Sequence, residues 1–98
     1  MTAGEERLRL RLVAAGRVQG VGFRRFVQRC ALGHDLAGWV ANRADGSVEI
    51  LAEGAREAVD ALRADVRRGP PGARVADLRA ETASIDEELP HPFEIRHG

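Results

Sequence analysis

Gly16-Arg17-Val18-Gln19-Gly20-Val21-Gly22-Phe23-Arg24-Arg25 is the stretch from which the rest of this 98-residue chain can be read. Just before it, Arg7-Leu8-Arg9-Leu10-Arg11-Leu12 alternates charged and apolar residues with the period of a strand. After it, Phe23, Phe26, Val27, Cys30 and Ala31 fall on one face of a helix. The glycine-rich segment is therefore a turn carrying a strand into a helix. Such a turn directs successive backbone N–H groups, and the positive end of the helix dipole, at one spot where an anion can rest. Arg24, in the first helical turn, can reach that spot with a planar guanidinium that suits phosphate or carboxylate. Taken alone, a glycine-rich turn is more readily a plain connection, with Arg24 a solvated charge. The segment has neither the spacing of the dinucleotide fingerprint nor the Gly-Lys-Ser/Thr ending of a magnesium-nucleotide loop.

What the segment lacks narrows the chemistry. From Gly16 to Arg25 there is no Ser, Thr, Cys, Asp, Glu, His or Lys. A covalent phosphoenzyme needs an activated nucleophile, and none is present there. Phosphoryl chemistry at this site must rest on positioning and charge stabilisation. It then suits only a substrate with a good leaving group. A mixed carboxylic–phosphoric anhydride qualifies, because its carboxylate departs without being protonated.

Two further segments complete a pattern: Gly38-Trp39-Val40-Ala41-Asn42 and Asp45-Gly46-Ser47-Val48-Glu49. Together with Gly16–Arg24, at this separation, they resemble the acylphosphatase family over nearly the whole chain. The resemblance implies hydrolysis of acyl phosphates without a metal or other cofactor. It also implies that the loop, Gly16, Arg17, Val18, Gln19, Gly20, Val21, Gly22 and Phe23, holds phosphate together with Arg24. Asn42 would orient the attacking water, and the substrate's own phosphate would help take its proton. By itself Asn42 is ordinary turn chemistry, since Asn-Arg-Ala-Asp-Gly reads as a hairpin connection. A neutral amide nevertheless suits the water-orienting role, because it brings no negative charge beside the anion.

Composition bounds the remainder. Ninety-eight residues allow one domain, 1–98, with a modest core, and the polar start 1–6 is expected to fray. The 15 basic side chains, all Arg, balance 15 acidic ones, so no overall charge points to nucleic acid or membrane. Residues 1–43 carry 8 Arg against 3 acids, which sets the loop in a positive half suited to an anionic substrate. No apolar run is long enough for a leader or a membrane span. Cys30 is alone and sits on the apolar face of its helix, an inert thiol in a cytoplasmic monomer. Arg17, Arg25 and Arg43 are expected to steer substrate rather than to react with it.

The element order follows from period and punctuation. Strands are expected over Arg7–Ala14, Leu36–Asn42 and Ser47–Glu53, the last broken by Gly54. Arg7, Arg9 and Arg11 should face water from an open sheet. Helices are expected over Phe23–Gly33 and Ala55–Arg68, the second stopped by Gly69-Pro70-Pro71-Gly72. His34 reads as a surface or cap residue, and Asp35 occupies a position where relatives usually have a left-handed glycine. Arg74–Thr82 reads as a strand in which Val75 and Leu78 differ in parity, which predicts a bulge or a mid-strand bend. Ser84–Pro92 is an acidic loop whose Asp86, Glu87 and Glu88 are solvated rather than metal-binding, and Phe93 and Ile95 start a short last strand. His91 and His97 flank that strand and should be exposed.

The result is an α+β sandwich of βαββαβ order, with two helices on one face of an antiparallel sheet. This is the ferredoxin-like fold that the resemblance also implies. Two other functions use such a scaffold. An RNA-binding module would stack bases on sheet aromatics, but Phe23, Phe26, Trp39 and Phe93 are the only aromatics and two belong to the first helix. A non-catalytic anion-binding module within a larger assembly, as in hydrogenase maturation, would share the loop. The favoured partner is a small acyl phosphate, with inorganic phosphate as product and competitor.

Overall fold

Strand β1 (Arg7–Arg17) lies inside a five-stranded sheet, flanked on both sides by partners. In the computed structural model, which describes residues 6–84 and 86–97, its alternation buries Leu10, Leu12 and Ala14 beneath the helices. The strand continues past Ala14 because Gly16 pairs with Val75 and Arg17 with Arg74. Of the expected frayed start, residues 1–5 lie outside the described residues.

Helix α1 (Phe23–Gly33) has the expected bounds, and Phe23, Val27 and Ala31 form its buried stripe. His34 follows it as the cap residue, and Asp35 adopts φ 56°, the left-handed turn expected of that position. Strand β2 (Ala37–Asn42) then pairs antiparallel with β3 (Val48–Ala55). Gly54 does not break β3. It pairs with Leu8, and a Cβ there would lie 2.5 Å from Leu36 Cδ2, so the glycine makes room for a core leucine. Helix α2 (Arg56–Arg68) starts one residue later than expected and buries Val59, Leu62 and Val66. Each such large apolar side chain contributes about 1.5–3 kcal/mol to the core.

Strand β4 (Arg74–Thr82) pairs with β1 and carries the bulge that parity predicted. Ala15 faces Asp77 while Gly16 faces Val75, which leaves Ala76 as the extra residue. The β1 backbone passes so close here that a Cβ on Gly16 would sit 2.3 Å from the Arg74 carbonyl oxygen.

The sheet order is β4-β1-β3-β2-β5, and the short β5 (Glu94–Arg96) corrects one expectation. It runs parallel to β2, pairing Val40 with Ile95, so the sheet is mixed rather than antiparallel. The chain reverses after β4, and the reversed direction is that of β2. A second correction concerns Arg9, which is only 3% exposed, whereas Arg11 is 42% exposed. The segment after β4 crosses the open face, with Ala83 N–H donating to Arg9 O and Gly38 N–H to Pro90 O. Beneath it Arg9 donates to Glu53 at 2.9 and 2.6 Å and to the Glu87 carbonyl. Among the described residues, no helix is long and apolar enough to cross a membrane.

Candidate active site

A cleft of about 310 Å³ opens where the β1–α1 turn meets the ends of β2 and β5. Val18, Gly20, Gly22, Phe23 and Arg24 line it from the turn, joined by Arg25, Asn42, Ile95 and His97. The turn takes this course because Val18 and Phe23 are buried anchors on either side of four more exposed residues, Gln19 to Gly22. Gly22 caps α1 in the left-handed region, φ 77°, and Gly20 has φ 78°, so both positions favour glycine for conformation rather than space. No side chain caps the helix, which leaves its first-turn amides as donors toward the cleft mouth.

Two cationic side chains, Arg24 and Arg25, line the cleft, and among the described residues no carboxylate does. Arg24 is half-buried, and its Nη1 donates to Arg96 O at 3.4 Å and meets His97 Nδ1 at 3.3 Å. Both contacts use one amino group and are long for hydrogen bonds. They restrain the guanidinium without neutralising it. Asn42, the last residue of β2, pairs with Val48 and shares the cleft with Arg24.

Not every residue expected to hold phosphate reaches this cleft. Gly16 and Arg17 belong to β1 and are paired to β4. Val21 packs against the core. Gln19 turns toward the β2–β3 hairpin, its Nε2 lying 2.9 Å from Arg43 O and 3.0 Å from Ser47 O. That hairpin is shaped by Asp45, which accepts from Ser47 N–H at 2.9 Å and from Ser47 Oγ at 2.6 Å. Those hydrogen bonds hold the Asp45 carboxyl below its ordinary range.

Ile95 and His97 were not legible as cleft residues. Their approach depends on the β5 register, in which Ala41 faces Arg96, and no local sequence signal encodes that pairing. Cys30 does not reach the cleft, and burial, with Asp65 beside it, pushes its thiol up and away from the reactive thiolate. His34 holds Asp65 at 3.1 Å between the helices, in keeping with a cap. A larger cleft, about 650 Å³, lies elsewhere, under the crossing segment, and is lined by Arg7, Arg9, Asp35, Glu53, Asp86, Glu87, Glu88 and His91 among others.

The chain matches the family model described as Acylphosphatase over residues 10–95. It is 44% identical to an acylphosphatase of Rhizobium etli over 95 residues, 97% of this chain and 98% of the relative. The crystal structure of acylphosphatase from Bacillus subtilis superposes with a TM-score of 0.86 at 46% identity, covering 91% of this chain and 98% of that one. A full-length HypF, crystallised in a phosphate- and nucleotide-bound form, gives a TM-score of 0.83 at 26% identity. There 93% of this chain corresponds to 12% of the larger protein.

Proposed function

This chain belongs to the acylphosphatase family and is a hydrolase of acyl phosphates, and we propose that Arg24 and Asn42 carry the reaction without a metal. The phosphoryl group rests against the amides of the turn from Val18 to Phe23, with the Arg24 guanidinium along its oxygens. Asn42 orients a water in line with the bond to the leaving carboxylate. Water oxygen bonds to phosphorus as the bond from phosphorus to the acyl oxygen breaks. The bond's electron pair leaves with the carboxylate, and the water's proton passes to a phosphoryl oxygen. Charge builds on the phosphoryl oxygens during this exchange, and a preset guanidinium and amides stabilise it without reorganising.

The observation that carries this reading is the presence of Arg24 and Asn42 together in a cleft that, among the described residues, is lined by no carboxylate. An anion there meets the positive charge of Arg24 and Arg25 and the backbone donors of the turn. The proposal includes a single domain working as a cytoplasmic monomer on a small substrate. A nucleic-acid role is disfavoured because Phe23 and Phe93 are buried and Trp39 lies under Arg96, whose Cζ is 5.0 Å from the ring centre.

Benzoyl phosphate hydrolysis measured with and without a chelator tests the mechanism. Turnover should be unchanged by chelation and competitively inhibited by inorganic phosphate. Loss of turnover on chelation, restored by a divalent cation, would remove the metal-free reading. Asn42→Ala should abolish turnover while leaving the inhibition constant of phosphate nearly intact. An Asn42→Ala enzyme that simply failed to bind phosphate would contradict the water-orienting role.

A further inference from the structure

Gln19 sits in the middle of the anion-holding turn, yet its side chain engages the β2–β3 hairpin. Its Nε2 has two carbonyl partners, Arg43 O at 2.9 Å and Ser47 O at 3.0 Å. Two acceptors at one atom require the amide NH₂ group there, because an amide oxygen would face two lone-pair donors with no hydrogen to share. Both hydrogens of the amide are therefore committed, and neither is free for a phosphoryl oxygen. Arg43 follows Asn42 directly, and Arg43 N–H also donates to Ser47 O at 2.8 Å. Gln19 thus closes the base of the hairpin from outside, one residue beyond Asn42.

We infer that Gln19 is a positioning residue: it fixes the distance between the phosphate-holding turn and the strand end that presents Asn42. The inference rests on the role proposed for Asn42 and deepens it. In-line attack depends on where water stands relative to phosphorus, and a displacement of about 1 Å is enough to cost a large share of the rate. The turn holds one reactant and β2 holds the group that orients the other. A side chain bonded to both sides sets their separation, while the glycine amides and Arg24 retain the phosphate.

Gln19→Leu keeps the bulk and removes both donors, and Gln19→Glu sets a carboxylate against two carbonyl oxygens. With benzoyl phosphate, kcat should fall about 10-fold in Gln19→Leu, the scale of one or two ordinary hydrogen bonds. It should fall further in Gln19→Glu. The inhibition constant of inorganic phosphate should stay within about 3-fold in Gln19→Leu. Amide exchange at Arg43 should quicken in the same variant, a readout independent of turnover. Adding Gln19→Leu to Asn42→Ala should change the residual rate little, since the two act through one group.

Unchanged kcat and unchanged Arg43 exchange in Gln19→Leu would overturn the inference. So would a loss of phosphate affinity as large as the loss of kcat, which would make Gln19 a direct ligand. If Asn42→Ala alone kept full turnover, the parent mechanism would fall, and the inference with it. If Asn42→Ala were inactive and Gln19→Leu fully active, only the inference would fall.

Discussion

Of two clefts beside this sheet, the one under the crossing segment and the one at Arg24, the larger is the poorer place for a phosphate. The cleft of about 650 Å³ is lined by Arg7 and Arg9, but also by Asp35, Glu53, Asp86, Glu87 and Glu88. Arg9 is already engaged by Glu53 at 2.6 Å and by the Glu87 carbonyl. Half that volume surrounds Arg24, and there the lining holds two arginines and, among the described residues, no acid. The contrast separates size from chemistry. An arginine bound to a carboxylate stabilises the fold, whereas one held by a carbonyl and an imidazole keeps its charge for a substrate.

The comparison breaks first if the two arginines can be exchanged in role. Arg9→Ala should lower the unfolding free energy by about 3 kcal/mol, near the low end for a severed buried pair because Glu53 keeps some water contact. Its kcat per folded molecule should be unchanged, as denaturant unfolding and an active-site assay together would reveal. Arg24→Ala should do the reverse. Its kcat/KM should fall at least ~100-fold, the loss expected for one charge-stabilising donor, with its unfolding midpoint nearly that of the parent. Near-normal benzoyl phosphate hydrolysis by Arg24→Ala would remove Arg24 from the mechanism.

Acid sharpens the same contrast. Burial alone would raise the Glu53 carboxyl, but hydrogen bonds and charge from Arg9 and Arg7 outweigh it and leave Glu53 below its usual 4.5. Asp65 is likewise pushed up by burial and brought lower still by His34 and Arg68, ending below its usual 3.8. A carboxyl held low in the folded chain stabilises it fully above the unfolded value and loses that contribution as pH drops through the folded one. Resistance to thermal unfolding should therefore fall progressively below about pH 4.5, the ordinary Glu53 value. Glu53→Gln should start lower and respond less to pH in that window. The smallest effect belongs to Arg11, whose pair with Glu49 at 3.2 Å is partly exposed. Arg11→Gln should cost no more than about 1 kcal/mol, measured by the same unfolding curve.

What the sequence discloses and what it conceals divide along local and distant contacts. The α1 bounds, the left-handed Asp35 and the bulge opposite Ala15 each leave a mark within a few residues, and each was legible. Arg9 was misread because alternation reports which face a side chain takes, not what later crosses that face. The covering segment begins some seventy residues downstream, at Ala83. Gly54 was misread as a breaker because its cause is the Leu36 side chain, which belongs to another element. The candidate site divides the same way. The turn and Arg24 come from one continuous stretch, and the resemblance supplied Asn42. Ile95 and His97 arrive through a three-residue parallel strand whose pairing has no local signature.

The extra residue at Ala76 has a consequence for how molecules meet one another. β4 is an outer strand, and a flat outer strand is a template on which a second chain can add. Here the ladder is interrupted, and the exposed Arg74, Asp77, Arg79 and Glu81 set charge on either side of the break. A strand from a neighbouring molecule would find neither a continuous register nor an uncharged face, so crowding should leave these domains dispersed rather than joined into fibrils.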